Sequence, residues 1–456
     1  MKPLGKVLEH FRAKWVPVRV KKMRSNDSQA HFRISKKYGN ALAAAALTLI
    51  ASTAAKAQVT LDVLYAFPAF AKFHEPIAAE FMKKHPDIKI NFRAPAASYD
   101  EGHQAMLRSS VTNQLPDVYY SGFHLLTELV ESLDKRKQVV DLGPLLKAEP
   151  EAWRKANYSD ALLSLAQVGG KQVGLAFNAS TPLMYFNAEL VKKAGGDPDK
   201  MPDNWADTVA LAKKIHSGDT AGMAYNIHDW PDDWLWRGVI LQAGHSMLSA
   251  DGKKVAFGGA VGEKTLSLLR SFVTDGGMPL IDWDQSRQQF IAGKIGIFFD
   301  TPARLRQVTD LIGDRFTLKT ALFPVDDKAK GKLPTGGNAA LITAKDPAKQ
   351  KAAWEFIKFV TGPEAQKIVV ETAGYMPTNL RAGEDAFLGP FYKANANFRT
   401  INGQVSRAAP WEGYPGGNSV RIWRQQREVV AGVMRGEIQP KAGIERIVSE
   451  TEALMK

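Results

Sequence analysis

The chain has 456 residues, among them 60 Lys and Arg, 47 Asp and Glu, and no Cys. The lack of Cys excludes disulfides, thiolate metal sites, a Cys nucleophile and the lipid-bearing Cys that tethers some exported proteins to a membrane. Residues 1–57 hold 12 of the basic residues, so the remainder carries 48 basic against 45 acidic residues, and this net charge of +3 gives no electrostatic reason to expect a nucleic-acid partner.

The N-terminal segment has the pattern of an export signal. A basic leader precedes an apolar run over residues 41–55, and the Ala-Lys-Ala tripeptide that ends at Ala57 is typical of a cleavage site. The run is shorter than the roughly 20 residues that span a bilayer. We therefore predict a signal peptide over residues 1–57 and a mature chain that begins at Gln58, outside the cytoplasm; a buried Ala-rich helix is the alternative. The leader is long for a signal, and Met23 is the alternative start.

Predicted strands and helices alternate after Gln58. Val59–Tyr65 has the composition of a strand. Apolar residues then recur at helical steps of three and four, at Phe70, Phe73, Ile77 and Phe81. Pro86 ends this predicted helix because proline cannot continue it, and Ile88, Ile90 and Phe92 alternate as in a half-buried strand.

The alternation continues to the C-terminal half. Another strand and helix begin at Asp117, and Asp346 is placed to cap a helix that has Pro347 at its first position and Trp354 in its core face. Gly362 ends that helix. This order predicts α/β lobes with largely parallel central sheets, and about 400 mature residues predict two lobes.

No catalytic motif is present in the sequence. It has no phosphate-binding loop, no His-Glu-x-x-His, no nucleophile elbow and no dinucleotide fingerprint, and its nine His lack metal-ligand spacing. Four carboxylates do lie beside tryptophans, residue types that a glycosidase site would also contain: Asp232, Asp233, Asp282 and Asp284. We expect no cofactor and no metal, and a secreted carbohydrate-active hydrolase stays as the alternative of another class.

Aromatic residues cluster in two segments. One holds Trp230, Trp234 and Trp236, and the other holds Trp411, Tyr414 and Trp423. Flat rings suit the carbon faces of a sugar or polyol, and neighbouring polar groups can bind its hydroxyls. Side chains two residues apart point in different directions, so at most one or two of the first trio should face a pocket. Ordinary core packing is the competing interpretation.

Five segments, in order, resemble those of family 1 extracellular solute-binding proteins, the periplasmic receptors of ABC importers. They are Phe81–Ile90, Leu115–Tyr119, Thr181–Asn187, Phe290–Ile297 and Gly374–Thr378. The resemblance extends over residues 58–456. Within the family, the glycerol-3-phosphate-binding branch is the most similar, judged from Ala97–Tyr99, Asn178–Pro182, Gly336-Gly337 and Thr372–Tyr375.

The resemblance implies a two-lobed, type II-like periplasmic-binding fold with the ligand cleft between the lobes. The implied first lobe comprises residues 58–177 and 324–362, and the second comprises residues 178–323 and 363–456. The chain is expected to cross between lobes near Leu175–Ser180, Leu322–Pro324 and Thr361–Met376. Further implications are a non-enzymatic receptor, ABC permease subunits as partners, and a monomer.

Residue-by-residue comparison with that branch nominates Tyr99, Ser180, Gly337 and Tyr375 as cleft contacts, with Trp205 a further candidate. Two positions depart from its pattern: Phe123 replaces a carboxylate and Trp423 replaces a phosphate-binding Arg, with Arg421 and Arg424 displaced to either side. The full set of candidate ligand-binding residues is Tyr99, Phe123, Ser180, Trp205, Trp230, Thr301, Gly337, Tyr375, Arg421 and Trp423.

The two departures favour a neutral sugar, oligosaccharide or polyol as ligand, because they exchange charge for aromatic surface. Glycerol 3-phosphate or a glycerophosphodiester is the alternative. A cationic or zwitterionic head group held by aromatic rings also stays open, since such rings attract choline-like cations.

Overall fold

The computed structural model describes residues 58–456, so the predicted signal peptide lies outside the described residues and stays a prediction. The strands are β1 Val59–Leu64, β2 Ile88–Phe92, β3 Val118–Gly122, β4 Gln167–Val168, β5 Lys171–Gln172, β6 Gly174–Ser180, β7 Leu183–Asn187, β8 Ala221–Ala224, β9 Ile295–Asp300, β10 Leu318–Ala321, β11 Leu333–Pro334, β12 Gly336–Ile342 and β13 Ala408–Ala409.

The α-helices are α1 Ala71–Lys84, α2 Tyr99–Val111, α3 Phe123–Asp134, α4 Gly143–Ala148, α5 Glu151–Asn157, α6 Asp160–Ser164, α7 Ala188–Lys193, α8 Trp205–Ile215, α9 Trp234–Leu241, α10 Gly259–Thr274, α11 Trp283–Ile291, α12 Leu305–Ile312, α13 Pro347–Val360, α14 Pro363–Thr372, α15 Gly389–Ala394, α16 Ala396–Arg399, α17 Ser419–Met434 and α18 Pro440–Leu454. Short 3-10 segments lie at Pro68–Phe70, Pro302–Arg304, Leu380–Gly383 and Thr400–Arg407. None of these helices is long and apolar enough to cross a membrane.

The first sheet has the strand order β2-β1-β3-β12-β6. Helices α1 and α13 pack on it through the faces that their apolar spacing predicts, and the ring centroids of Phe81 and Phe356 lie 5.1 Å apart. Asp346 caps α13, because its side chain accepts a hydrogen bond from the Lys349 backbone N–H. The predicted strands at 59–65 and 88–92 and the helices after Phe70 and Asp346 are thus confirmed.

The second sheet has the order β10-β7-β9-β8. Its core is dominated by aromatic rings, with Trp205 packed on Phe272, Phe299 and Phe323 at centroid distances of 5.0–5.1 Å. The prediction of largely parallel sheets is confirmed for all strands but one in each sheet. Strands β12 and β7 enter their sheets from the other lobe and therefore run antiparallel to both neighbours, while β1 with β2 and β3, and β8 with β9, pair in parallel.

The chain passes between the sheets in three places. Thr181 and Pro182 join β6 to β7, residues 322–335 return from β10 to β12, and the segment after α14 leads back toward the second sheet, where Met376 packs. Helix α14 itself packs on α1 in the first core, whereas the sequence-based division assigns it to the second lobe. The remaining lobe boundaries stay predictions.

Candidate functional site

A cavity of about 690 Å³, including its solvent-open part, lies where residues from the two sheets meet. Its lining combines eight aromatic rings with a small set of polar groups, an arrangement common in small-molecule sites. The lining residues are Phe67, Phe70, Tyr99, Ser180, Trp230, Pro231, Asp232, Trp234, Trp283, Thr301, Ala303, Arg304, Gly336, Gly337, Tyr375 and Trp411.

The ends of secondary-structure elements carry the polar lining groups. Ser180 ends β6, Thr301 follows β9, and Gly336 and Gly337 open β12. Tyr99 is the first residue of α2, a helix that begins because the Ser98 side chain accepts from the Glu101 backbone N–H at 3.1 Å. Side chains and backbone from both sheets therefore converge on one space without any single motif.

Tyr99 is held in place by β12, the strand that begins with Gly336 and Gly337. The Asn338 side-chain amide donates to the Tyr99 hydroxyl at 3.0 Å, and the Asn338 backbone N–H donates to the Asn178 side chain at 3.0 Å. Gly337 has φ +119°, and a Cβ there would lie 2.2 Å from the Asn178 carbonyl oxygen. Only glycine fits this position beside the paired strand, and Gly337 also lines the cavity.

Phe67 supports the opposite side of the same tyrosine. Its φ of +66° lies in the left-handed region that side chains other than glycine rarely adopt. Its ring packs edge-on against Tyr99 with centroids 4.9 Å apart. Strained backbone of this kind persists where surrounding packing enforces it, often at a functional site.

Four tryptophans form a continuous wall of the cavity. The centroids of Trp283 and Trp230 are 4.7 Å apart, those of Trp230 and Trp234 are 5.6 Å apart, and those of Trp234 and Trp411 are 6.4 Å apart. Trp236 instead points away and packs on Phe257. The sequence-based expectation that at most two of the first trio face a pocket is confirmed.

Hydrogen bonds fix the two ends of this tryptophan wall. The indole N–H of Trp411 donates to Asp233 at 2.8 Å, and Asp233 also pairs with Arg237 at 2.6 Å in the buried interior. At the other end the indole N–H of Trp283 donates to Asp300 at 3.1 Å. The rings are therefore oriented before any ligand binds.

Asp300 lies directly behind the cavity wall and is fully buried. Its Oδ1 also accepts the Thr301 backbone N–H at 2.7 Å. Burial raises its pKa to about 6, against the opposing effect of the nearby Arg287 guanidinium. One buried carboxyl thus positions both Trp283 and Thr301.

Asp232 is the carboxylate that lines the cavity among the described residues. It accepts the Trp234 backbone N–H at 2.9 Å. Although part of the residue remains exposed, the surrounding rings desolvate its carboxyl group and raise its pKa well above the usual range. Such a group can accept hydrogen bonds from ligand hydroxyls, or donate one while protonated.

The other three carboxylates that lie beside tryptophans in the sequence stabilise local structure and do not line the cavity. Asp233 is paired with Arg237, the Asp282 side chain caps α11, and Asp284 forms an ion pair with Arg287. A glycosidase places two carboxyl groups across the scissile bond. The described lining of this cavity supplies one, so the arrangement does not support hydrolysis.

Six of the ten candidate ligand-binding residues line the cavity, namely Tyr99, Ser180, Trp230, Thr301, Gly337 and Tyr375. Four do not line it, namely Phe123, Trp205, Arg421 and Trp423. Phe123 packs in a core cluster of the first lobe, and Trp205 and Trp423 are each 1% exposed in the core of the second. Arg421 is exposed on α17. The expectation that these four contact a ligand is therefore not supported by their positions.

Sequence reasoning missed several lining residues, chiefly Phe67, Phe70, Trp283 and Arg304. The apolar spacing predicts Phe70 only as part of a helical core face. The sequence places Trp283 only beside Asp282, and its hydrogen bond to Asp300 spans 17 residues of sequence. Arg304 ends the 3-10 turn that Thr301 caps, so its closeness in sequence to a candidate residue was the available signal.

No group of three or more side chains suitable for holding a metal ion occurs within residues 58–456.

Comparisons with known proteins give a consistent assignment. The sequence pattern of the family described as "Bacterial extracellular solute-binding protein" matches residues 67–367. The sn-glycerol-3-phosphate-binding periplasmic protein UgpB of Agrobacterium fabrum is 22% identical over 400 residues, which cover 84% of this chain and 89% of that protein.

Two solved structures share the fold. UgpB from Mycobacterium tuberculosis, in complex with glycerophosphocholine, aligns with a TM-score of 0.74 and 17% identity, covering 87% of this chain and 98% of that one. The sugar-binding protein MalE from Xanthomonas citri aligns with a TM-score of 0.74 and 19% identity, covering 87% of this chain and 97% of that one. At these identities the similarity establishes the two-lobed fold.

Proposed function

The chain belongs to the bacterial extracellular solute-binding protein family, and we propose that it is the substrate-binding receptor of an ABC importer whose ligand is a sugar, oligosaccharide or polyol. Members of this family bind solutes and are not enzymes. The ligand assignment is based on the tryptophan wall beside Asp232. Aromatic rings bind the carbon faces of sugars and polyols, and Asp232, Ser180 and Thr301 can bind their hydroxyls.

The mechanism is capture by closure of the two lobes. A ligand in this cavity touches Tyr99 and Tyr375 on one side and Trp230 and Trp283 on the other. It binds the closed form better than the open form because only the closed form presents both sets of contacts, and it shifts the population accordingly. The closed surface is then recognised by the permease subunits of the importer in the inner membrane.

We assign the protein to the periplasm, after removal of residues 1–57, as a monomer with no nucleic-acid partner. The family is extracellular, and the first 57 residues have the composition of an export signal. N-terminal sequencing of the protein recovered from the periplasm tests this assignment, with Gln58 expected as the first residue.

A second ligand class is favoured by one specific observation. Arg304 lines the cavity, and its guanidinium makes no hydrogen bond or ion pair with any residue between 58 and 456. A free guanidinium suits a phosphate, so glycerol 3-phosphate or a glycerophosphodiester is the alternative ligand. Two of the relatives described above are named for, or were solved with, such molecules.

The test is to titrate the mature protein with a panel of maltose-like sugars, polyols, glycerol 3-phosphate and glycerophosphocholine. Calorimetry and thermal unfolding should show saturable, stabilising binding, with no product formed on prolonged incubation. Ser180→Ala should weaken binding, whereas Ser164→Ala, at an exposed serine outside the cavity, should not. Product release would favour the hydrolase, and absence of any ligand in a wide panel would contradict the receptor assignment.

A further inference from the structure

A groove of about 1020 Å³ adjoins the tryptophan-lined cavity and shares one residue with it. The shared residue is Arg304, which lines both. The groove is otherwise bordered by residues of α1, α12 and the end of α14, including Lys72, Arg306, Asp310 and Glu371. The Arg304 side chain therefore borders both spaces.

The charges of the groove do not balance. Arg306 pairs with Asp310 at 3.6 Å and donates to the Glu371 backbone carbonyl at 3.0 Å, and the Glu371 carboxylate pairs with Lys367. Both acids are thus already matched to a cation. Lys72 and Arg304 have no hydrogen bond or ion pair through their side chains within residues 58–456.

These two cations lie close enough to repel each other. Partial burial lowers the pKa of Lys72, and the neighbouring Arg304 and Arg306 lower it further, while Asp310 opposes this effect. Lys72 nevertheless remains exposed and Arg304 half-buried, so both can be reached by an anion, and a bound counter-charge would offset their repulsion. The Arg304 guanidinium lies over the Trp283 ring, 5.7 Å from its centroid, which places it beside the tryptophan wall.

We propose that Lys72 and Arg304 form a subsite for an anionic group of the ligand, a phosphate or a carboxylate, at the end of the tryptophan-lined cavity. This inference rests on the proposed receptor function and narrows its ligand to one with a hydroxyl-rich or apolar part and an anionic part. The subsite is separate from the position where the glycerol-phosphate-binding branch carries its phosphate-binding Arg, which Trp423 occupies here deep in the core.

The location of the subsite gives it a role in closure. Lys72 is on α1, which packs on the first sheet, whereas Arg304 follows β9 of the second sheet. An anion bound by both side chains therefore links the two lobes. Its contacts are complete only when the lobes are together, so the anion adds to the differential affinity that drives closure.

The first experiment uses inorganic phosphate as probe, at constant ionic strength with chloride as the reference. Binding is followed by calorimetry and by Trp fluorescence. We expect saturable binding to the wild-type protein, weakened about tenfold or more by Arg304→Gln and also weakened by Lys72→Gln, because a hydrogen bond to a charged group contributes on that scale.

Two matched variants control for the loss of a surface cation. Arg399→Gln removes an exposed arginine at the end of α16, and Lys83→Gln removes an exposed lysine of α1. Both should leave phosphate binding unchanged. Arg304→Lys should retain part of it, a result that a purely structural role for Arg304 would not give. Equal phosphate affinity in all variants, or none in the wild-type protein, overturns the subsite.

The second experiment compares pairs of probes that differ in the anionic group: glycerol with glycerol 3-phosphate and with glycerophosphocholine, and glucose with glucuronate. We expect the anionic member to bind at least tenfold more tightly, with this preference reduced in Arg304→Gln. The pair with the largest reduction identifies a phosphomonoester, a phosphodiester or a carboxylate. Tight binding of neutral probes that is the same in wild type and Arg304→Gln would overturn the subsite while leaving the receptor function intact.

Discussion

The indole N–H of Trp283 donates a 3.1 Å hydrogen bond to the buried carboxyl of Asp300. The ring forms one end of the cavity wall, and the carboxyl lies behind it at the end of β9. The same oxygen accepts the backbone N–H of Thr301. The geometry of the binding surface is therefore linked to the protonation state of a group that a ligand does not touch.

Asp300→Asn should change how stability depends on pH. Burial raises the pKa of Asp300 to about 6 in the folded protein, against 3.8 for an ordinary Asp. The folded state thus holds a proton that the unfolded state loses as pH rises, so the wild-type protein loses this contribution to its free energy of unfolding between about pH 4 and pH 6. The size is at most about 3 kcal/mol.

The measurement is urea unfolding of wild type and Asp300→Asn from pH 3.5 to 7.5. The variant should become more stable than wild type by a margin that grows as pH rises through this window. Asn keeps an oxygen that can accept the Trp283 N–H, so the comparison isolates the charge. Parallel pH profiles for the two proteins would contradict the prediction.

Trp230→Ala should reduce the affinity for the best ligand of the panel by about 10- to 100-fold, because the apolar contact of a large ring contributes about 1.5–3 kcal/mol. The matched control is Trp236→Ala, which removes a buried tryptophan that packs on Phe257 away from the cavity. Both variants should lose stability, and calorimetry should show that only Trp230→Ala loses affinity. Similar affinity losses in the two variants would mean that the wall acts only through stability.

Gly337→Ala should destabilise the protein by about 1–3 kcal/mol and weaken ligand binding, because its φ of +119° is strained for alanine and its Cβ would collide with the Asn178 carbonyl. The measurements are urea unfolding and calorimetric titration. Gly383→Ala is the control, since a Cβ there meets nothing within 4 Å. Unchanged affinity in a folded Gly337→Ala protein would show that this backbone does not contact the ligand.

Helices and strands were predictable from the sequence where one short segment contains all the residues that determine the element. The helix with Phe73 and Phe81 on its buried face and the cap at Asp346 needed only periodicity and the chemistry of a helix start. The direction of β12 was not predictable in this way. Its antiparallel pairing with β3 and β6 follows from the crossing between lobes, which no local pattern records.

The candidate binding residues also fall into two groups, those that line the cavity and those that do not. Tyr99, Ser180, Gly337 and Tyr375 came from resemblance and do line the cavity, whereas Trp205 and Trp423 are core residues. An isolated tryptophan does not show from sequence whether its ring faces ligand or core. Trp205 opens α8 and turns inward onto Phe272 and Phe299, a choice set by the distant strands and helices that surround it.

Asp233→Asn should destabilise the protein by about 3–5 kcal/mol. Asp233 and Arg237 form an ion pair at 2.6 Å with both side chains almost fully buried, so removing the negative charge leaves the guanidinium uncompensated in the interior. Urea unfolding measures the loss. Asn can still accept the Trp411 N–H, so affinity in the folded fraction should fall less than stability does.

The control for this buried pair is Asp385→Asn. It breaks the ion pair between Asp385 and Lys393, whose side chains are 79% and 72% exposed, respectively. An exposed pair contributes about 0–1 kcal/mol because water and salt screen it. The contrast matters for the binding surface, since the Asp233 carboxylate holds Trp411 at the end of the tryptophan wall opposite to Trp283. If Asp233→Asn were as stable as Asp385→Asn, the buried charge of Asp233 would not be what orients Trp411. The remaining support for the Trp411 ring would then be the stacked His124 ring, whose centroid lies 4.1 Å from that of Trp411.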